Sequence, residues 1–302
     1  MPIRVKEGIT AVDNLKKENI FAMTNERAIH QDIRSLNIAV LNLMPDKQET
    51  EEQLLRLLSN SPLQIDVTFI RLVTHKYKNT GASYLLKNYR PFYEIEREYF
   101  DGLIITGAPV EKLGFEQVDY WNELSAILEW SRLHVTSTLH LSWAAQAGLY
   151  YHYGVTKHDL DKKLSGIFSH TVLSKNNELV RGFDKVFNAP HSTYSGINEH
   201  ELAAVPELEV IARSDTAGAY IISDGGSNIF VDGHPEYDTD RLAFEYERDK
   251  EKGLSPDIPE NYFPGNDPEK PPVSSWIAHS SLLFSNWLNY FVYQVTPYEF
   301  GV

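Results

Sequence analysis

Residues 36–43, LNIAVLNL, are apolar at almost every position. A strand with one face in water alternates apolar and polar residues, so this run suits a strand covered on both faces, as in a parallel sheet packed between helices. Pro45 closes it. Residues 48–59 then carry Leu54, Leu55, Leu57 and Leu58 behind Glu49, Glu51 and Glu52, an acidic first turn that suits the positive end of a helix dipole. The pattern repeats. Residues 63–73 alternate as a second strand, 102–106 (GLIIT) form a third, 120–133 place Trp121, Leu124, Ile127, Leu128 and Trp130 at helical spacing, and 135–141 form the next strand. Strands and helices in turn predict an α/β fold, a parallel sheet with helices on both faces. Ligands in such sheets bind beyond the carboxyl ends of the strands, which marks the loops after Leu43, after Thr106 and at Ser142.

The second half is richer in short strands, at 208–212, 218–222 and 228–231, with Gly225 and Gly226 marking a hairpin. Residues 239–252 read as a charged amphipathic helix, and 254–272, rich in Pro, Asp, Glu and Asn, as a long surface loop. An aromatic helix at 276–293, with Trp276, Leu283, Phe284, Trp287, Leu288 and Phe291, needs cover from the core or from a second subunit. The simplest organisation is one domain over 1–302: an N-terminal arm at 1–34, an α/β core at 35–252, and a loop with a C-terminal helix at 253–302.

The formal charge of −14 over 302 residues disfavours a nucleic-acid surface, which needs lysine and arginine against phosphates. Residues 1–17 lack the apolar stretch of a signal peptide, and no apolar run reaches membrane-spanning length, so a cytoplasmic protein without membrane contact is expected. The absence of cysteine excludes disulfides, thiolate metal sites and a thiol nucleophile in this chain.

The corner at 138–148, TLHLSWAAQAG, runs from strand into helix with Ser142 at the turn. It lacks the Gly-x-Ser-x-Gly form of hydrolase elbows, though Ala144 and Ala145 are small enough for a tight turn. A serine before a helix is also the commonest N-cap, with no catalytic part. Partners stand in 231–238, VDGHPEYD, where His234 could take a proton from Ser142 and Glu236 could fix the imidazole tautomer. Alternatively, His234 is simply a turn residue. A mid-chain nucleophile with glutamine four residues on and a distant His-Pro-Glu also resembles class I glutamine amidotransferases, whose nucleophile is cysteine. Their glycine-flanked elbow is only partly met, because His140 and Ala144 occupy the flanking positions.

A closer resemblance covers almost the whole chain. LNLMP at 41–45, NSPLQ at 60–64, ITGAP at 105–109, STLH at 137–140, QAGLY at 146–150, GHPEYD at 233–238, EYERD at 245–249 and NWLNY at 286–290 together resemble the homoserine O-acyltransferase family, often called homoserine O-succinyltransferase. The resemblance implies a flavodoxin-like, class I glutamine amidotransferase-like sheet and a homodimer. It implies acyl transfer from acyl-CoA to the hydroxyl of L-homoserine in methionine biosynthesis by a ping-pong route. Acyl-CoA would be consumed as substrate, with no metal and no resident cofactor. By position, Ser142 stands where the family has its acyl-accepting cysteine, His234 where it has the proton acceptor, and Glu236 where it has the orienting carboxylate. Lys47 and the backbone amide of Trp143 match the oxyanion positions. Lys163, Ser192, Glu245 and Arg248 match substrate-contacting positions, although Glu245 and Arg248 could equally be an ordinary helix ion pair. Glu111 stands where glycine leaves room for a succinyl carboxylate; a glutamate would fill that space and repel the second charge, so acetyl-CoA is the expected donor.

Two departures stand out. The family's Cys-Trp-Gly-Ala-Gln is here Ser142-Trp143-Ala144-Ala145-Gln146. An engineered exchange is the first explanation, a natural serine nucleophile and a loss of acyl transfer the others. The family's His-Ser-Arg-His-Thr is here His191-Ser192-Thr193-Tyr194-Ser195, which removes a cation near the acceptor carboxylate and makes Thr193 and Tyr194 candidates for acceptor specificity. An L-serine O-acetyltransferase serving cysteine synthesis is the main alternative, and an inactive or regulatory binding protein the non-enzyme one.

Overall fold

The computed structural model describes residues 3–4, 9–17, 22–23, 35–77 and 79–296. Its strands are β1 Ile3–Arg4, β2 Ala22–Met23, β3 Leu36–Leu41, β4 Ile65–Arg71, β5 Arg90–Pro91, β6 Phe100–Ile105, β7 Val135–Leu141, β8 Lys157–Val172, β9 Val186–Ile197, β10 Glu209–Ser214, β11 Gly218–Ser223 and β12 Asn228–Val231. One sheet runs in the order β2-β1-β4-β3-β6-β7-β12-β11-β10-β8-β9, with β5 beside β4. From β2 to β12 each pairing is parallel; from β12 to β9 each is antiparallel. The α/β class expected from the sequence is present, with an antiparallel extension along one edge.

Both faces of the parallel half are covered, as the uniform apolar runs require. Along β3, Ile38 and Val40 pack on one side with Leu54, Leu55 and Leu58 of the helix Lys47–Ser59. Ala39 and Leu41 pack on the other with Leu124, Ile127 and Leu128 of the helix Trp121–His134. Successive side chains of a strand point to opposite faces, so a strand buried on both sides can hold no polar alternation.

The aromatic C-terminal segment forms the helix Ile277–Asn286 and continues as a π-helical stretch, Trp287–Tyr293. Its cover comes from its own chain. Trp287 is fully buried and donates its indole N–H to Ser137 Oγ at 3.0 Å. Gly102 makes room for it, since a Cβ there would lie 3.0 Å from the Trp287 ring and 2.8 Å from Ile38. Of the two sources of cover, the core supplies it for Trp276, Leu283, Phe284, Trp287 and Leu288.

The sequence gives no hint of the long β8–β9 hairpin. The first half of β8 reads KHDLDKK and is half-buried to exposed, with a register irregularity between Asp159 and Leu164, so no apolar period marks it. Of the expected N-terminal arm, β1 extends the parallel edge beside β4, and Leu15 of the helix Ala11–Lys17 joins the core. β2 pairs in turn with β1, while residues 1–2, 5–8, 18–21, 24–34, 78 and 297–302 lie outside the described residues. Among the described residues no helix is long and apolar enough to cross a membrane.

Candidate active site

β7 ends at Leu141 and the helix Trp143–Tyr153 follows with only Ser142 between them, so the chain reverses at Ser142 with φ 52° and ψ −124°. A non-glycine residue held there costs on the order of 1–3 kcal/mol and persists only where its surroundings enforce it. Here the Ser142 N–H donates to Val231 O at 2.7 Å, and its carbonyl accepts from Ala145 N at 2.8 Å. Small residues let the helix press onto the sheet; a Cβ on Gly148 would lie 2.8 Å from His140. The Ser142 hydroxyl does not cap the helix. It lies 3.0 Å from His234 Nε2 instead.

His234 follows β12 in the next loop, its N–H bound to Pro190 O at 3.0 Å and its ring stacked on Tyr237 at 4.1 Å. His234 Nδ1 lies 2.8 Å from Glu236 Oε1, and both side chains are buried. An ionised carboxylate only accepts, so Nδ1 carries the proton and Nε2 is left to accept from Ser142 Oγ–H. The bond directions converge on an activated hydroxyl. The space beside that pair is kept open by Gly107, where a Cβ would stand 3.0 Å from Ser142 Cβ and 3.3 Å from both Ser142 Oγ and His234 Cε1.

A cleft of about 310 Å³ opens from this point and brings Ser142 and His234 together with Glu111, Lys163, Ser192, Tyr194, Glu245 and Arg248. Its far end is a charged cluster. Glu245 is buried and accepts from Lys163 Nζ at 3.2 Å, Tyr237 Oη at 2.9 Å, Arg241 Nε at 3.3 Å and the Ser192 hydroxyl. Burial alone would raise its pKa, but Lys163, Arg241 and Ser192 outweigh it and hold the carboxyl down at about 2. Arg248 does not pair with Glu245. Its guanidinium lies on Asp249, at 3.0 Å from Nε and 2.9 Å from Nη2, at the half-exposed rim.

Three expectations change on inspection. Lys47 is buried, and its Nζ donates to the carbonyls of Asn42 at 2.6 Å and Met44 at 2.7 Å instead of lining the cleft. Burial pushes its pKa down to about 7 against the pull of Glu51 and Asp46, and a neutral amine still has two N–H groups for the two carbonyls. Lys47 thus braces the loop whose Met44 and Pro45 form a wall of the cleft. Thr193 also turns away, exchanging hydrogen bonds with the Ser195 backbone at 3.1 Å, because its neighbours Ser192 and Tyr194 take the cleft-facing side of β9. Glu245 pairs with Arg241 one turn before it, and not with Arg248 one turn after. The Trp143 amide begins the helix beside Ser142, and an N–H at that position has no carbonyl partner inside its own helix. Glu111 lines the cleft, its pKa raised by burial, with His234 and Lys163 opposing.

Sequence reasoning did not single out Gly107, Tyr237 or Arg241. Arg241 is buried between two helices, reaching Glu245, Asp46 and Glu49. Its spacing of four residues from Glu245 was the available signal. Gln146 bonds Asp232 Oδ1 at 3.0 Å and Ser195 O at 3.2 Å, tying the helix behind Ser142 to the loop that carries His234. Burial raises the Asp232 carboxyl to about 7.

Comparison with known proteins places this geometry in context. A profile of the homoserine O-succinyltransferase family matches residues 2–298. A protein of Lachnospira eligens named homoserine O-acetyltransferase is 56% identical over 300 residues, covering 99% of this chain and 97% of that one. A protein of the same name from Clostridium acetobutylicum is 54% identical, covering 99% and 100%. Among solved structures, a glutamine amidotransferase from Thermotoga maritima superposes with a TM-score of 0.55 at 12% identity, over 85% of this chain and 98% of that one. One from Methylobacillus flagellatus gives 0.53 at 13% identity, over 85% and 95%. These two likenesses concern the fold.

Proposed function

This chain belongs to the homoserine O-succinyltransferase family, and from that premise we propose that it acetylates the side-chain hydroxyl of L-homoserine with acetyl-CoA, by way of an acyl group carried on Ser142. The observation that carries the reading is the buried relay Ser142–His234–Glu236 opening into a cleft with a charged far end. Ser142 Oγ attacks the thioester carbonyl while His234 Nε2 takes its proton, and Glu236 stabilises the imidazolium that forms. The oxyanion develops beside the Trp143 N–H and the space left by Gly107. His234 returns the proton to the departing thiolate. It then takes the proton of the homoserine hydroxyl, which attacks the acyl-enzyme; the bond from the acyl carbon to Ser142 Oγ breaks, and His234 returns the proton to that oxygen.

The charged end suits an amino acid. Arg248 at the rim offers a guanidinium to a carboxylate, and Glu245 holds Lys163 and Ser192 in place in the cleft wall. Acetyl-CoA enters this scheme as a substrate, with no resident cofactor or metal proposed. The relatives bearing homoserine in their names leave L-serine as the less favoured acceptor.

The test is free CoA release from acetyl-CoA with L-homoserine or L-serine, by this chain and by Ser142→Cys. Homoserine-dependent release by this chain, well above that with serine, is expected, and the cysteine variant should show the same preference. Equal silence with both acceptors would sink the proposal.

A further inference from the structure

The first half of β8 contributes no buried residue to the core, yet one of its side chains is nearly enclosed. The Lys157 side chain is 9% exposed, and the carboxylate beside it, Asp159 at 3.4 Å, is itself 73% exposed. A lysine gives up water around its ammonium only where another group replaces it. Here that group is the backbone carbonyl of Glu111, to which Lys157 Nζ donates.

We propose that Lys157 is a positioning residue for acyl-donor selectivity, anchoring Glu111 from behind so that its side chain stays across the path of a longer, charged acyl group. This role rests on the functional reading above, in which Glu111 faces the donor, and extends it to a residue outside the cleft wall.

The loop 108–113 has few other ties. Its own backbone bonds close on themselves, Val110 N–H donating to Ala108 O at 2.9 Å and Leu113 N–H to Val110 O at 3.0 Å. The second of these closes a turn with Glu111 and Lys112 at its centre, and the carbonyl of the first central residue takes no part in closing such a turn. That free carbonyl is the one Lys157 holds. One residue on, Lys112 Nζ stands 3.9 Å from the centre of the Tyr194 ring on β9, a cation–π contact. Lys157 Nζ also lies 5.7 Å from the centre of the Phe115 ring, just past the loop. Both central residues of the turn are thus fastened to the β8–β9 hairpin, while the Glu111 side chain lines the cleft and Lys157 does not. A side chain that selects by filling space selects only as well as its backbone is fixed.

The experiment measures kcat/KM for acetyl-CoA and succinyl-CoA, and KM for L-homoserine, in the full chain, Lys157→Met, Lys157→Arg, Glu111→Gly and the double variant of Glu111→Gly with Lys157→Met, each also made with Ser142→Cys. Lys157→Met should raise the succinyl-to-acetyl ratio about fivefold with KM for homoserine unchanged, and Lys157→Arg, which can still donate to the carbonyl, should keep the parent ratio. On Glu111→Gly the methionine exchange should leave the ratio where it is, because no side chain remains to be placed. Should Lys157→Met fail to fold, Lys112→Met loosens the same turn from the surface and should raise the ratio about twofold. Loss of that cation by itself would disfavour a carboxylate-bearing donor, so a rise reports the loosened loop, and no rise overturns the role. A merely structural lysine would lower thermal stability equally with and without Glu111 and leave the donor ratio alone. That result overturns the role of Lys157, as does a further rise on Glu111→Gly. Where Glu111→Gly moves the ratio and Lys157→Met does not, only the role of Lys157 falls. Where Glu111→Gly does not move it, or no protein transfers either acyl group, the reading of Glu111 as a donor contact fails and the role of Lys157 goes with it.

Discussion

The two ends of the cleft are built by opposite means. At the Ser142 end, position comes from the backbone: a left-handed turn between β7 and its helix, a loop closing β12, and a glycine at 107 that leaves the space beside the hydroxyl open. At the Glu245 end, position comes from charge, with one buried carboxylate held by Lys163, Arg241, Tyr237 and Ser192. The first end depends on one hydrogen bond in line with the next. The second is a redundant network, so losing one member there should be felt in binding and stability before it is felt in chemistry.

The sharpest break of that contrast is His234→Asn. It removes the base and leaves Ser142 without an acceptor, and turnover should fall by about 10³–10⁴-fold while the chain stays folded. A steady-state rate with acetyl-CoA and homoserine checks it, and a loss under tenfold would remove His234 from the relay. Glu245→Gln should cost less, about 10- to 100-fold in kcat/KM, mostly through KM for the amino acid. The same residue has a pH signature. Its folded pKa of about 2 lies below the ordinary carboxylate value of 4.5, so its contribution is complete above pH 5 and lost as pH falls toward 2. Acid titration of stability should show a steeper loss between pH 5 and 2 for the parent than for Glu245→Gln. Parallel curves would mean the cluster does not stabilise the fold through that charge.

The backbone-built end was the more legible in the sequence. An apolar strand, a run of small residues and a Gly-x-Pro-Glu stretch with its histidine at 234 record the turns that place Ser142, His234 and Glu236, because tight turns admit few residue types. The parallel half of the sheet was legible for a related reason, since strands buried on both faces leave long apolar runs. The charge-built end was only half visible. Glu245, Lys163 and Ser192 came from motif positions, but Arg241 resembles any helix arginine, and nothing local says that it turns inward to Glu49 and Asp46. Lys47 misled for the same reason. A lysine after a proline turn can face a cleft or stay beneath it, and only the packed loop decides that its ammonium meets Asn42 and Met44. The β8–β9 hairpin went unread because its polar half has no buried face to impose a period.

Glu111 stands between the two ends and gives the finest test of the contrast. Its carboxyl lines the cleft, raised by burial and opposed by His234 and Lys163, so it borders the relay and the charged cluster at once. A donor with a terminal carboxylate would bring a second negative charge and added length into that wall. Glu111→Gly removes the side chain and its charge, and succinyl-CoA use relative to acetyl-CoA should rise by about tenfold, worth about 1.4 kcal/mol. The relay itself is untouched, so acetyl transfer should change by less than that. Paired rates with the two donors measure the ratio. If the succinyl ratio stays fixed while acetyl transfer collapses, Glu111 belongs with the relay that positions His234, and the line between the two ends lies closer to the charged cluster.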